Sequence, residues 1–342
     1  MNRALLSILV VGMVILGGCL GEGPIDGDLG GPDDGADSNV VSVDGSLEIH
    51  HIDIGQGDAT LIVAPSGETF LIDSGDWRQD GEEIIDYLDA RGIDRIDHLV
   101  ATHAHADHIG GHAAIIEHFE TDGDGIGAAY DSGVVHTSQT YERYLDAIED
   151  HDVDLFVVEE GDVIPTETEG LTVTVLNPPA GDSGSDLHFN SMTLLVQFGE
   201  VRYLTTGDAE ADAEARMVDD WADDLDADVY QAGHHGSSTS STEPFLTAVE
   251  PSIAIISSAH ESQYGHPHDE VLDLFAAAGI ETYWTGVHGH VVVTTDGETI
   301  TVETTESFST DPIDLLDAKP DDEEDAAIVS TAAAVAPIHF TA

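Results

Sequence analysis

Three histidines and one aspartate lie within residues 103–108, which read HAHADH. Buried ionisable groups need partners, and imidazole together with carboxylate suits zinc, manganese or iron. The sequence has a single cysteine, Cys19, so thiolate ligands do not contribute. A set of nitrogen and oxygen ligands is typical of a catalytic rather than a structural metal. The segment therefore predicts a catalytic metal site.

Residues 96–102 lead into this segment and predict a buried strand, and Gly110-Gly111 follow it. Layered α/β proteins place their chemistry at the C-terminal ends of strands. With 19 histidines in the chain, a chance cluster on the surface is the alternative. The ligand spacing, the preceding strand and the two glycines disfavour it.

Two further predicted strands end beside metal-ligating residue types. Residues 201–206 are followed by Asp208, and residues 229–232 by His234 and His235. Three strand ends thus deliver His or Asp, which predicts one convergent site. A dinuclear centre, with metals about 3.5–4 Å apart, needs roughly six protein ligands, and this chain supplies them.

The remaining pattern predicts a mixed α/β domain with a long acidic, glycine-rich loop at residues 121–133. Other strands are predicted at residues 46–54, 60–63, 69–76, 155–158, 171–176, 191–198, 253–257, 280–284 and 291–295. Helices are predicted at residues 82–91, 111–120, 138–151, 210–225 and 269–278.

The charge balance is strongly acidic, with 69 Asp and Glu against 8 Lys and Arg and a net charge of −61. A disordered acidic chain would be poor in apolar residues, whereas this one is 41% hydrophobic, so it is predicted to fold. Its composition resembles that of proteins from salt-in halophiles, where the Debye length of about 3 Å at molar salt screens self-repulsion. We expect the domain to lose structure in dilute buffer.

Both ends of the chain differ from its centre. Residues 1–18 resemble a lipoprotein signal peptide, which implies cleavage before Cys19 and a lipid on its sulfur. A single transmembrane anchor is the alternative, disfavoured by the short apolar run. Residues 19–45 predict a flexible acidic Gly/Asp linker, and residues 306–342 an acidic low-complexity tail. We expect a protein on the extracellular face of the cytoplasmic membrane, lipid-anchored or secreted.

Taken together, the motifs resemble the metallo-β-lactamase superfamily, and within it the ComEC-like hydrolase domain of DNA-uptake competence proteins. The matching segments are residues 53–58 (DIGQGD), 71–75 (LIDSG), 102–111, 190–191 (NS), 206–208 (TGD), 233–237 (GHHGS) and 264–268 (YGHPH). The resemblance implies an αββα sandwich, with two mixed sheets face to face and helices outside, formed by residues 46–305.

The resemblance also implies two divalent ions, zinc or manganese. The implied ligands are His103 and His105 for the first ion, Asp107 and His108 for the second, and Asp208 as the bridge. One of His234 and His235 completes the second site, and the other lies near the substrate phosphate; the sequence leaves this choice open. The family's Asn-Ser pair, here Asn190-Ser191, stands where classical lactamases carry a third histidine, so His188 is a further candidate ligand.

Other roles follow from residue chemistry. Asp107 is the candidate catalytic residue, to orient the nucleophile or accept its proton. Asp73 is expected to orient a ligand histidine. Neutral or protonatable donors suited to phosphate are Asn190, Ser237, His266 and His268. For the last two, capping of the following helix is an equally weighted alternative.

The predicted function is metal-dependent hydrolysis of a phosphodiester, with single-stranded DNA as a candidate substrate. The net charge argues against electrostatic capture of DNA, although counterion release contributes little at molar salt. The alternatives are hydrolysis of a small ester, lactone or thioester, and a non-catalytic binding lipoprotein. The membrane, which the chain would reach through a lipid on Cys19, is a predicted partner. No protein partner is predicted.

Overall fold

The computed structural model describes residues 43–320, which contain fifteen strands. The strands are β1 Leu47–His51, β2 Thr60–Val63, β3 Thr69–Ile72, β4 Ile96–Ala101, β5 Ile126–Asp131, β6 Leu155–Val157, β7 Val163–Ile164, β8 Leu171–Asn177, β9 Thr193–Phe198, β10 Val201–Thr205, β11 Val229–Gln231, β12 Ile253–Ile256, β13 Glu281–Trp284, β14 Val291–Thr295 and β15 Ile300–Thr304.

Within the same range there are eight α-helices, and two short 3₁₀ turns at Ala222–Asp224 and Gly233–Gly236. The helices are α1 Glu82–Asp89, α2 His112–Asp122, α3 Gln139–Asp150, α4 Ala211–Trp221, α5 Glu243–Val249, α6 Asp269–Ala278, α7 Thr285–His288 and α8 Pro312–Asp317.

The strands form two mixed sheets. The first has the order β15-β14-β1-β2-β3-β4-β5-β6 and the second β13-β12-β11-β10-β9-β8-β7. Strands β3 to β6 run parallel in the first sheet, and β10 to β13 run parallel in the second. Each sheet therefore has one edge at which the C-terminal ends of several strands come together.

Alternating side chains hold the layers together, because successive residues of a strand point to opposite faces. In β3, Phe70 and Ile72 join the core between the two sheets, whereas Leu71 packs with helices α1 to α3. In β10, Tyr203 joins the central core, and Leu204 packs with helices α4 to α6. This is the predicted αββα sandwich, which the structure confirms.

The expected loop at residues 121–133 contains a strand instead. Strand β5 pairs in parallel with both β4 and β6. The glycines in this segment weaken the strand pattern of its sequence. At least one of them is required, since a Cβ atom at Gly127 would lie 2.4 Å from the carbonyl oxygen of Asp97. The close approach of the β4 backbone excludes a side chain, so composition was a poor guide to this strand.

Folded structure also continues past the predicted boundary at residue 305. Helix α8 begins after Asp311, whose carboxylate accepts a hydrogen bond from the N–H of Ile313, and its Leu315 is fully buried against α6 and β13. The predicted signal peptide, Cys19, most of the predicted linker and residues 321–342 lie outside the described residues. Among the described residues, no helix is both long and apolar enough to cross a membrane.

Candidate metal centre

The parallel strand ends bring the predicted ligands together. Strand β4 leads to His103, β10 to Asp208 and β11 to His234. Two glycines allow the loops to approach. A Cβ atom at Gly110 would lie 2.1 Å from the backbone nitrogen of Trp77, and one at Gly207 would lie 2.5 Å from Ser191 Oγ. The Gly-Gly and Thr-Gly-Asp motifs are therefore requirements of loop packing at this edge.

His108 and His235 are oriented by hydrogen bonds on one side of each ring. Nδ1 of His108 donates to Oδ2 of Asp73 at 2.7 Å, and Nδ1 of His235 donates to the carbonyl oxygen of Ser257 at 3.1 Å. With Nδ1 used as a donor, Nε2 of each neutral ring carries the lone pair that can bind a metal. Asp73 thus occupies the orienting position predicted for it.

The two Nε2 atoms face the same carboxylate oxygen. Oδ1 of Asp208 lies 3.1 Å from Nε2 of His108 and 3.7 Å from Nε2 of His235. Nε2 of His235 also lies 3.5 Å from Oδ2 of Asp107. Nε2 of His108, Nε2 of His235 and Oδ1 of Asp208 thus lie together, with Asp107 beside His235, at the position of the predicted second metal site. His235, rather than His234, is therefore the histidine placed there.

Asp58 belongs to the same buried group but lies on the opposite side of the rings. Its carboxylate is 3.5 Å from Nδ1 of His235 and 4.0 Å from Nδ1 of His108. It therefore supports the two histidines from behind. The sequence analysis used Asp58 only as part of the DIGQGD motif and did not recognise this contact, although the motif was a usable signal.

The second oxygen of Asp208 faces another group, formed by His103, His105, His188 and Asp208 itself. Oδ2 of Asp208 lies 3.6 Å from Nε2 of His103. The ring of His188 lies 4.9 Å from that of His105. The structure thus places His188 where a third histidine of the first metal site would stand, and Asp208 between the two groups.

The Asn-Ser pair supports this arrangement from beneath. Ser191 Oγ accepts a hydrogen bond from the N–H of Asp208 at 3.0 Å and lies 3.5 Å from Nδ1 of His103. Asn190 is fully buried, and its amide bonds to Ser183 Oγ and to the carbonyl oxygen of Asp186. Both groups of its amide are engaged, so Asn190 holds the loop that carries His188, and its predicted contact with substrate stays a prediction.

His234 and His235 diverge although they are adjacent in sequence. Both have left-handed backbone angles, with φ of 51° and 57°. His235 turns into the buried cluster, whereas Nε2 of His234 lies 3.6 Å from Oδ2 of Asp208 and its Nδ1 lies 3.2 Å from Oε1 of Glu210. Glu210 was missed by sequence reasoning, although it stands two residues after Asp208.

A metal fits this donor set on two counts. Three buried atoms, His108 Nε2, Asp208 Oδ1 and His235 Nε2, form no hydrogen bond to any other described residue, which is costly unless a cation binds them. Ligand atoms around a tetrahedral zinc lie about 3.3–3.5 Å apart. The separations between Asp208 and the histidine nitrogens, 3.1 to 3.7 Å, bracket that range.

Residues 52–260 match the metallo-beta-lactamase superfamily. The chain belongs to this superfamily. It is 32% identical to ComE operon protein 3 of Bacillus subtilis over 71% of this chain and 32% of that protein, and 28% identical to competence protein ComA of Neisseria gonorrhoeae over 69% and 30%. It thus spans about a third of the length of these curated relatives. The resemblance to ComEC-like competence proteins is confirmed.

Among solved structures, the metallo-beta-lactamase fold protein YhfI of Bacillus subtilis aligns with 70% of this chain and 97% of its own length. The sequence identity is 12% and the TM-score 0.45.

Electrostatics at this metallo-β-lactamase centre favour a bound cation. Burial acts to lower the pKa of His108, but the charges of Asp208 and Asp73 outweigh it and raise the pKa well above its ordinary value. Burial acts to raise the pKa of Asp208, but His108 and His235 hold it well below its usual range. The carboxylates therefore require positive charge beside them, and divalent metals replace the histidine protons that otherwise supply it.

The predicted substrate-binding residues differ in position. Ser237 is buried, and its hydroxyl contacts Thr239 Oγ1 at 3.0 Å, so it helps to shape the turn. His268 accepts a hydrogen bond from the N–H of Ser238 at 2.8 Å, and its Nε2 contacts the carbonyl oxygen of Tyr264. It therefore fixes the loop before α6, although its side chain makes no capping hydrogen bond to that helix.

His266 alone of these four residues lies against the metal-ligating rings. Its ring is 5.8 Å from that of His234 and 6.0 Å from that of His235. Burial, together with the charges of His235 and His268, lowers the pKa of His266 to about 3. The ring is therefore neutral at neutral pH and has one donor and one acceptor nitrogen.

Proposed function

We propose that this metal-dependent hydrolase is a phosphodiesterase whose substrate is DNA or a related phosphodiester outside the cell. The observation that carries the proposal is the position of Asp208, whose two carboxylate oxygens face separate groups of imidazole nitrogens. A carboxylate shared in this way supports two ions, zinc or manganese, at the separation used for in-line displacement at phosphorus. The competence proteins among the relatives support a nucleic-acid substrate.

When bound, two divalent cations lower the pKa of a water molecule and stabilise the negative charge that develops in the transition state. The side chains of the protein would bind the ions, orient the attacking water and accept its proton. Asp107 is partly open to the site, whereas Asp208 is buried. Burial acts to raise the pKa of Asp107, but the ring of His235, whose Nε2 lies 3.5 Å from Oδ2 of Asp107, and the charge of His108 hold it well below its ordinary value. Asp107 is therefore ionised and placed to orient the attacking water.

Phosphate recognition has to depend on this centre, because the basic side chains are engaged elsewhere. Six of the seven basic residues in the described range form ion pairs with carboxylates: Arg78, Arg95, Arg143, Arg202, Arg216 and Lys319. The seventh, Arg91, lies over the ring of Tyr87. The positive charge for a phosphodiester would therefore come from the bound cations, with His266 as a neutral donor.

The cellular setting is part of the proposal. A lipid on Cys19 would hold the domain at the extracellular face of the cytoplasmic membrane, where single-stranded DNA is a candidate substrate. Metabolic labelling of the expressed chain with a radioactive fatty acid tests this part. Label that is present in the unaltered chain and lost in Cys19→Ala supports it, and an unlabelled chain rejects it.

The activity test compares hydrolysis of bis-p-nitrophenyl phosphate and of single-stranded DNA in molar KCl with added manganese or zinc. Asp107→Ala is expected to lose cleavage, and Asp219→Ala, an exposed aspartate on α4, to retain it. Metal content and circular dichroism of each variant show whether it is loaded and folded. Absence of cleavage by a folded, metal-loaded chain would reject the phosphodiesterase. A parallel assay with a p-nitrophenyl ester, a lactone and a thioester then tests the alternative hydrolase.

A further inference from the structure

A third group of metal-ligating atoms lies beside the dinuclear centre. It consists of His188, Glu210 and His234. Oε1 of Glu210 lies 3.3 Å from Nδ1 of His188 and 3.2 Å from Nδ1 of His234. The two imidazole rings are 4.7 Å apart. One carboxylate oxygen thus faces two ring nitrogens at the separation that ligands of a tetrahedral metal have, about 3.3–3.5 Å.

The group stands at the open side of the site. The side chains of His188, Glu210 and His234 are 26%, 36% and 20% exposed, whereas that of Asp208 is 2% exposed. Three protein ligands with solvent on the remaining side are the arrangement in which a metal keeps a position for water or substrate. Two imidazoles and one carboxylate also match the donor set of known catalytic zinc sites.

Two contacts connect the group to the dinuclear centre. Nε2 of His234 lies 3.6 Å from Oδ2 of Asp208, and the ring of His188 lies 4.9 Å from that of His105. An ion at Glu210 would therefore be a neighbour of the first metal site. His188 would be shared, with one ring nitrogen facing each ion.

We propose that His188, Glu210 and His234 bind a third divalent cation at the mouth of the centre. This cation would keep a position toward solvent and, in a role that rests on the proposed phosphodiesterase function, would take a phosphate oxygen of the substrate. It supplies positive charge at the rim of a chain that has only 8 Lys and Arg against 69 Asp and Glu. A hard or borderline divalent ion such as zinc or manganese suits two nitrogens and one oxygen.

The test counts metal ions in the full chain without substrate. The unaltered chain, Glu210→Gln and Glu243→Gln are loaded with excess zinc in molar KCl, desalted, and analysed by inductively coupled plasma mass spectrometry. Glu210→Gln removes the shared oxygen's charge and leaves His103, His105 and Asp208 untouched. Glu243→Gln is the matched control, because Glu243 is also an exposed glutamate at the start of a helix. We expect three zinc equivalents in the unaltered chain and the control, and two in Glu210→Gln.

Two or fewer equivalents in the unaltered chain, or an equal count in Glu210→Gln, would overturn the third site. The second result would mean that Glu210 only accepts hydrogen bonds from the two histidines. The outcome is separate from that of the activity test. Three equivalents without phosphodiester hydrolysis retain the third site and reject the proposed function, and two equivalents with hydrolysis do the reverse.

Discussion

Oδ2 of Asp73 lies 2.7 Å from Nδ1 of His108, and both side chains are fully buried. The other oxygen of Asp73 accepts the N–H of Thr102 at 2.9 Å, so one carboxylate fixes both the end of β4 and the ring that faces Asp208. Asp73 itself has a left-handed φ of 60°, which a non-glycine residue keeps only when its surroundings enforce it. Asp73 therefore sets the orientation of His108 before any metal binds.

Asp73→Asn is expected to weaken metal binding. The amide keeps the size of the side chain but removes the charge that favours a proton on Nδ1 and the lone pair on Nε2 of His108. Loss of such an orienting carboxylate typically costs about 10–100-fold in metal affinity. Isothermal titration with zinc or manganese in molar KCl measures the change. Asp219→Asn on the exposed face of α4 is the control, and equal affinities in the two variants would contradict the orienting role.

The carboxyl group of Asp131 predicts a pH dependence of stability. Burial raises the pKa of Asp131 to about 6, from 3.8, although the N–H of Gly133 and the hydroxyl of Tyr141 act in the opposite direction. Because the folded-state pKa lies above the ordinary value, the stabilising contribution is fully present below about pH 4. It is lost as the pH rises through about 6, and the difference corresponds to about 3 kcal/mol.

Asp131→Asn removes this titration while the side chain can still accept the Gly133 N–H. The free energy of unfolding of the variant, relative to the unaltered chain, is therefore expected to increase by about 3 kcal/mol between about pH 4 and about pH 8. Denaturant unfolding at the two pH values, at constant molar KCl, measures it. A relative stability that does not change with pH would show that Asp131 stays ionised in the folded chain.

Salt is expected to control folding. A net charge of −61 produces strong self-repulsion in dilute buffer, and the pairing of the basic residues with nearby carboxylates leaves little positive charge to offset it. At molar salt the Debye length of about 3 Å screens this repulsion. We expect the midpoint of thermal unfolding, followed by circular dichroism, to fall as KCl is lowered from molar to millimolar concentration. Sucrose in place of salt, which does not screen charge, is the control, and a midpoint independent of KCl would refute the prediction.

The ends of the strands could be predicted from the sequence because metal-ligating residues directly follow segments with a strand pattern. The segment at residues 103–108 follows a strand with an apolar pattern, and Asp208 follows another. These two strands, β4 and β10, belong to different sheets, so their convergence also depends on the two sheets packing face to face. The layers of the sandwich could also be predicted, since strands such as β9 alternate between the two cores.

The features that the sequence did not predict depend on the directions in which side chains point in the folded protein. Two adjacent histidines, His234 and His235, cannot be separated by spacing, because their left-handed backbone angles decide which one enters the cluster. Glu210 and Asp58 contact histidines that are distant in sequence, and a carboxylate in an acidic chain carries little signal. Strand β5 was not predicted because its segment contains glycines, one of which the close approach of β4 requires. Helix α8 was not predicted because the residues around it are strongly acidic.

The left-handed turn at His234 and His235 has a consequence for how the centre is loaded. Such angles cost about 1–3 kcal/mol at each residue and persist only where packing enforces them. Here that packing includes Gly236, whose own φ is 78° and at which a Cβ atom would lie 2.9 Å from Pro267. The backbone of the folded chain therefore holds these two imidazoles in different, fixed directions, so the scaffold is arranged as a chelator for an incoming ion.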